Sequence, residues 1–206
     1  MSTNELIQRR GAMMQSRSGG IDWESIARGM VDFTTEFEIL QDIGVDAKPY
    51  AFRSRKITSI VISNQCTEIG TYCFSYCSLL ASVTMPDSVK VISSNAFLNC
   101  VSLTELTLGS GVESIQGYSF ASSGITKLEL PASLTSIAAD GCRVGGSLTD
   151  VICHATTPPT AGTNIFAGDT NLTSIYVPDA SVSAYQSATN WTTYASKIKG
   201  ISERPT

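Results

Sequence analysis

The apolar residues of this chain recur with a long period rather than with the short period of one helix or one strand. Seven strand-like triplets carry apolar residues at their first and third positions and begin at residues 37, 60, 83, 106, 128, 151 and 175, which are 22 to 24 residues apart. They read FEI, IVI, VTM, LTL, LEL, VIC and IYV. Apolar residues two positions apart predict a short strand with one buried face. Repetition at this period predicts stacked units, here called rungs, which bury that face against one another.

Other positions keep the same register. A Leu or Ile stands three residues before each triplet from the second onward, at Ile57, Leu80, Leu103, Ile125, Leu148 and Leu172. An aromatic column reads Phe52, Phe74, Phe97, Phe120, Cys142 and Phe166. Proline follows the triplet at Pro86, Pro131 and Pro178, where it ends strand pairing because it has no N–H to donate. The Ala-Phe-x-x-Cys step predicts a turn of α-helix or 3₁₀ helix that places an aromatic ring in the core.

One rung, MPDSVKVISSNAFLNCVSL (Met85–Leu103), shows the full pattern. Written as L-x-x-V/I-x-I/L-P-x-S-V-x-x-I-x-x-x-A-F-x-x-C-x-S-L, the pattern resembles the BspA-type leucine-rich repeat of bacterial surface proteins over about Phe37 to Val177. The resemblance implies an α/β solenoid, a right-handed superhelix of short strands and short helical turns. The tail from Ile175 resembles the usual end of such proteins. The opening resembles the leader of short repeat proteins of gut bacteria and their prophages.

The ends of such a stack expose apolar core and need caps. We therefore expect an N-terminal helical cap or assembly segment at 1–34, a solenoid of about six rungs at 35–178 and a C-terminal helical cap at 179–206. The last segment predicts helices at 179–187 and 191–197, with Trp191, Tyr194, Ala195 and Ile198 on one helical face. Three rungs depart from the pattern, the first at 45–47 and two later ones, and we expect the geometry of the later two to loosen at 143–146 and 156–162.

Charge and composition exclude several classes of function. The 206 residues carry a net charge of −4, whereas nucleic-acid-binding proteins usually show a basic patch or stripe. No apolar run approaches the roughly 18 residues of a membrane-spanning helix. The N-terminus lacks the apolar stretch of a secretory signal. If the chain is native as given, we expect it in the cytoplasm; the resemblance implies the cell surface or a virion.

Cysteine and histidine offer little sign of chemistry. All six cysteines fall in slots that other rungs fill with apolar or small residues, which predicts buried thiols with no metal and no cofactor. A disulfide between Cys77 and Cys100, on adjacent rungs, stays open as an alternative. His154, the only histidine in the sequence, stands where other rungs have proline after the strand. Catalysis would require a nucleophile and an orienting carboxylate beside it, so we expect no enzyme.

The remaining candidate is the strand face, defined as the outward side of the strands. Its two columns read Val61, Thr84, Thr107, Glu129, Ile152 and Tyr176, and Ser59, Ser82, Glu105, Lys127, Asp150 and Ser174. Solenoids bind through such extended surfaces. We expect Tyr176 and Ile152 to bind as exposed apolar groups, Lys127 and Glu129 to orient the ligand, and Thr107 and Thr84 to extend the site. The expected ligand is a protein or a surface glycan, and residues 1–34 offer a separate surface for an assembly partner. The alternative function is an intracellular scaffold for protein–protein interaction.

Overall fold

The computed structural model describes residues 50, 52–54, 56–62, 64 and 66–205, with the backbone alone of 37–39 and of Val61. These residues fall within one compact unit, Phe33–Thr206. The expected N-terminal cap at 1–34 lies outside the described residues. No described helix is both long enough and apolar enough to cross a membrane.

The first strands of successive rungs pair in parallel and form two sheets. One sheet contains β1 (Phe37–Ile39), β2 (Ser59–Ile62), β4 (Ser82–Thr84) and β6 (Glu105–Thr107). A second contains β8 (Lys127–Leu130), β10 (Asp150–Cys153), β12 (Ser174–Val177) and β13 (Ile198–Gly200). Ile60 faces Val83, and Leu128 faces Val151. The register read from the triplets is confirmed within each of these two sheets.

Each rung also contributes a second, shorter strand to a third sheet. Its strands are β3 (Glu68–Ile69), β5 (Val91–Ile92), β7 (Ser114–Ile115), β9 (Ser136–Ile137) and β11 (Thr160–Ala161). Every pair in this sheet is parallel. The isoleucines of β3, β5, β7 and β9 are buried. The core therefore lies between the strand-face sheets and this third sheet.

A column of phenylalanines runs through the core along the stack. Phe52, Phe74, Phe97 and Phe120 are each 0% exposed, and successive ring centroids lie 5.2, 5.2 and 6.0 Å apart with nearly parallel planes. Offset stacking of this kind adds attraction beyond the burial of apolar area. The column ends at Cys142, which occupies the next position and is also fully buried.

The segment that carries the phenylalanine is a run of turns, and the predicted helical step is wrong. On one rung, the N–H groups of Cys73, Ser75 and Cys77 each donate to a carbonyl three residues earlier. Between these bonds, Phe74 N–H donates instead to Ala96 O of the next rung, at 2.8 Å. Phe97 repeats the pattern by donating to Ser119 O. Because alternate N–H groups bond to the neighbouring rung, the turns stack as a third hydrogen-bonded layer and no helix forms.

The strand ladder is interrupted in the middle of the stack. β6 pairs only with β4, and β8 pairs only with β10. The rung between them is one residue short: Leu128 follows Phe120 by eight residues, whereas Leu106 follows Phe97 by nine. Gly124 lies in the shortened segment, where a Cβ would come within 2.6 Å of Val101 O. Leu106, beside the interruption, is only half-buried.

The two rungs expected to loosen behave differently. At 143–146 the backbone leaves the pattern, with φ of +101° at Gly145 and +110° at Gly146. The buried Asp169 carboxylate fixes this loop by accepting hydrogen bonds from the N–H groups of Val144, Gly145 and Gly146, at 3.1, 2.8 and 2.9 Å. At 156–162 the expectation is wrong for its last part, because β11 pairs with β9 in register.

The C-terminal segment contains the predicted helical stretches and one strand that was not predicted. Its elements are η1 (Asp179–Ser181) and η2 (Thr192–Lys197), both 3₁₀ helices, α1 (Val182–Ser187), β13, and a last 3₁₀ helix η3 (Ile201–Glu203). Trp191 and Tyr185 are 0% exposed, and both rings meet other aromatic rings edge to face. Ile198, predicted on a helical face, lies instead in β13, which pairs in parallel with β12.

Candidate functional site

The strand face presents hydroxyl and charged side chains in register. Thr84 and Thr107 are exposed and face each other across the β4–β6 pair. Lys127 and Glu129 are exposed on β8, beyond the interruption. The period-two alternation of a strand places these four side chains outward, because Val83, Leu128 and Leu130 point into the core. These four predicted positions therefore lie on the solvent side of the sheets.

The expectation that Ile152 and Tyr176 are exposed is wrong. Each is only 6% exposed, although both occupy the outward column. Register explains their burial: Ile152 lies between Glu129 and Tyr176, and Tyr176 lies between Ile152 and Lys199 of the unpredicted strand β13. In-register neighbours on both sides cover an outward side chain, and the long stem of a lysine covers apolar surface well. The strand face is therefore more polar than the sequence indicated.

A contact between His154 and Glu129 lies on this face beside the predicted residues. His154 Nε2 is 2.6 Å from Glu129 Oε1, and both side chains are partly exposed, at 39% and 63%. The pair joins neighbouring rungs, since His154 N–H also donates to Leu130 O. Exposed pairs of this kind contribute little to stability. Glu129 is therefore oriented by His154 while most of its surface stays open to solvent.

The described cysteines are unsuited to nucleophilic chemistry. All six are buried and none of them is joined in a disulfide, so the alternative Cys77–Cys100 bridge is absent from the structure. Burial raises the pKa of the thiols of Cys73, Cys100, Cys142 and Cys153. The thiolate is the reactive form, and a raised pKa removes it. Within the described part of the chain, no group of three His, Cys, Asp or Glu side chains is placed to hold a metal ion.

The turn segments carry an exposed surface that sequence reasoning missed. Its members, here called the tyrosine ridge, are Tyr50, Tyr72, Tyr76 and Tyr118. Three of them are 43–48% exposed, and Tyr72 is half-buried. They stand two residues before or two residues after the phenylalanine column, where other rungs carry Asn, Asp or Ser. The signal in the sequence is the recurrence of tyrosine at these two positions of the repeat.

An arginine lies over the ridge. The guanidinium carbon of Arg53 is 5.5, 6.0 and 5.2 Å from the ring centroids of Tyr50, Tyr72 and Tyr76. Tyr50 and Tyr72 stack on each other with centroids 5.0 Å apart and planes 7° from parallel. Distances under about 6 Å place the cation in attractive range of an aromatic face. The four side chains therefore form one cluster on the turn side of the rungs.

Known structures share this architecture. A leucine-rich repeat protein from Bacteroides ovatus superposes with a TM-score of 0.58 at 18% identity, covering 71% of this chain and 38% of its own. One from Eubacterium ventriosum gives 0.59 at 19%, covering 73% and 41%. The leucine-rich repeat protein of T. pallidum gives 0.55 at 22%, covering 69% and 65%. The chain thus spans between about two fifths and two thirds of the length of these proteins. At such identities the likeness extends to the fold.

The repeat itself identifies the family. No curated protein matches the chain. The model of the BspA type leucine-rich repeat region, however, matches residues 46–173 in six copies, well over half of the sequence. The same residues form the in-register strands and the stacked phenylalanines of the core. The chain belongs to the BspA type leucine-rich repeat family.

Proposed function

We propose that the chain is a non-enzymatic binding module of a bacterial surface or a phage particle, and that it engages a protein or surface-glycan ligand through the strand face. The observation that carries the proposal is the ordered polar surface of that face. Lys127 and Glu129 project outward from one strand, and Glu129 is held by His154. A repeat stack holds such side chains at fixed spacing, which lowers the entropy lost when a ligand binds.

We also propose that the rungs at 35–178 wind as a right-handed solenoid closed by helical caps at both ends. The burial of Trp191 and Tyr185 against the last aromatic residues supports the C-terminal cap. Residues 1–34 are proposed as the opposite cap or as an assembly segment. A right-handed path follows the usual sense of parallel-strand connections.

The test compares two double variants with identical changes of residue type and charge. Lys127→Ala with Glu129→Ala removes one cation and one anion from the strand face. Lys90→Ala with Glu113→Ala removes an exposed pair, 3.1 Å apart, from the third-sheet side of the rungs. We expect the first variant to bind intact cells or particles of the encoding bacterium at least about tenfold more weakly than wild type, because binding energy concentrates in few residues. The second should bind like wild type.

Equal binding by wild type and both variants would contradict the strand-face assignment. The same protein, labelled and followed by fractionation of the encoding cells, addresses the location. Recovery with the envelope or with purified particles supports the surface or virion assignment. Recovery only with cytosolic proteins, cross-linked to a partner through the strand face, would favour the intracellular scaffold instead.

A further inference from the structure

We propose that the tyrosine ridge and Arg53 form a second binding surface and that this surface takes an acidic protein segment. The inference deepens the proposed function and rests on it only in treating the chain as a binding module. The ridge belongs to the turn segments that follow the third sheet, whereas the strand face belongs to the other sheets. The two surfaces can therefore be altered separately.

The backbone of the ridge does not favour tyrosine. Tyr50, Tyr72, Tyr76 and Tyr118 have φ between +57° and +72°. Only a few per cent of non-glycine residues adopt this left-handed conformation, and Asn and Asp are several-fold enriched there. The equivalent positions of other rungs carry Asn95, Asn99, Asp140 and Asn164, all with positive φ. Tyrosine at these positions carries a conformational cost that asparagine largely avoids.

Burial does not offset this cost. Tyr50, Tyr76 and Tyr118 are 48%, 43% and 43% exposed, so much of each side chain remains in water. The fold accepts asparagine at the equivalent positions of the next rung, Asn95 and Asn99. The aromatic side chains are therefore explained by what they present to solvent.

Arg53 gives the surface its charge preference. Its guanidinium is held over three rings, and no carboxylate of a described residue pairs with it. Lys56, three residues later, is also exposed. A planar guanidinium fixed by ring faces keeps its N–H donors available for a carboxylate in bidentate geometry. The complementary group on the partner is an acidic side chain.

The arrangement of the rings favours a protein segment over a sugar. Sugar rings lie flat on open aromatic faces, whereas the facing sides of Tyr50 and Tyr72 cover each other. The stacked pair presents ring edges and hydroxyl groups, which suit hydrogen bonding to a polypeptide. Leu79, exposed at 48%, follows the turn of Tyr72 and Tyr76 in sequence and is a further exposed apolar side chain. Tyrosine and arginine are the residues enriched in protein-binding hot spots.

The experiment selects ligands from a random peptide library displayed on a carrier, with the full chain as bait. We expect the enriched peptides to be rich in Asp and Glu. One enriched peptide is then measured against three variants. Tyr72→Asn with Tyr76→Asn installs the residues that the next rung already has at these positions. Arg53→Lys keeps the charge and removes the planar fork. Lys127→Ala with Glu129→Ala alters the strand face alone.

We expect the two ridge variants to bind the peptide at least about tenfold more weakly, because both remove hot-spot residue types. Both ridge variants should stay folded, with a far-ultraviolet circular dichroism spectrum and cooperative unfolding like those of wild type, and the strand-face variant should bind the peptide like wild type. Cell binding tests the strand face, and peptide binding tests the tyrosine ridge. A strand-face variant that loses cell binding but still binds the peptide would show that the two surfaces act independently.

Three results would overturn the inference. The first is a selection that yields no acidic enrichment, or peptides that bind the ridge variants as well as wild type. The second is tight binding of heparin oligosaccharide, used as a sulfated glycan probe, that the ridge substitutions abolish. The third is self-association in sedimentation that the same substitutions abolish, which would make a second copy of the chain the partner.

Discussion

Replacing Phe97 by alanine tests whether the stacked phenylalanines hold the rungs together. Phe97 is 0% exposed and lies between Phe74 and Phe120, with ring centroids 5.2 and 6.0 Å away. Phe→Ala substitutions in cores cost about 3–5 kcal/mol, since they combine lost apolar burial with a cavity. Two ring contacts are lost at once, and the rungs on either side are fixed by backbone hydrogen bonds, so collapse into the cavity is limited. We expect the upper half of that range.

The assay is equilibrium unfolding in urea, followed by far-ultraviolet circular dichroism. With a slope of about 2 kcal/mol per molar urea, a loss of about 4 kcal/mol lowers the midpoint by about 2 M. Phe97→Leu should lose less, because it refills most of the cavity. Val101→Ala, at a site 58% exposed, should leave the midpoint within the small range of surface substitutions. If Phe97→Ala unfolds at the wild-type midpoint, the phenylalanine column does not stabilise the stack.

Three further predictions concern the core and the loops. The six cysteines should be unreactive toward Ellman's reagent in the folded chain, because they are buried, and all six should react after denaturation without a reductant, because none of them is joined in a disulfide; fewer than six would reveal a missed bridge. Asp169→Ala should lower the free energy of unfolding in urea by about 2–4 kcal/mol, because three backbone N–H groups lose their acceptor. Asp169→Asn should lower it less. Equal stability of Asp169→Ala and wild type would show that water replaces the carboxylate. Trp191→Phe keeps an aromatic ring but loses the nitrogen-bearing half of the indole and with it the 2.9 Å hydrogen bond from Nε1 to Pro159 O, and should cost about 1–3 kcal/mol, measured in the same way.

The sequence predicted the parts of the fold that depend on apolar spacing. The strand register follows from the triplets, since a slip of one residue would turn Ile60 and Val83 out to solvent. The phenylalanine column and the buried cysteines follow from the same alignment. These predictions succeed because many weak signals repeat on every rung.

The sequence was a poor guide wherever a neighbour in space decides the outcome. Ile152 and Tyr176 follow the strand alternation, yet their in-register neighbours bury them. One of those neighbours, Lys199, belongs to β13, a strand that the triplets did not predict. The turn segments were predicted as helical because Ala-Phe-x-x-Cys has helical spacing. Only the bonds between rungs, such as Phe74 N–H to Ala96 O, show why the chain prefers turns there.

The 22-residue spacing between Leu106 and Leu128 was visible in the sequence, but its effect was not. A single missing residue elsewhere in a loop is often absorbed without effect. Here it coincides with a lost strand pairing between β6 and β8, and with a leucine left half-buried. Whether the loop absorbs the missing residue or the strand pairing is lost depends on whether the shorter loop can still span the distance between its ends. The spacing of apolar residues carries no information about that distance.

We expect the interruption between β6 and β8 to divide the described stack into two units that unfold separately. In a linear array of repeats, the free energy of each interface between neighbours determines how strongly the folding of one repeat favours the folding of the next. At this junction the strand pairing is absent and the phenylalanine column also ends, so the third sheet, through β7 and β9, and the turn bonds carry the coupling. The weakest interface of the described stack therefore lies near its middle. Native-state hydrogen exchange should separate there into two blocks, each opening with its own free energy, and force applied along the stack should divide the protein at the same place.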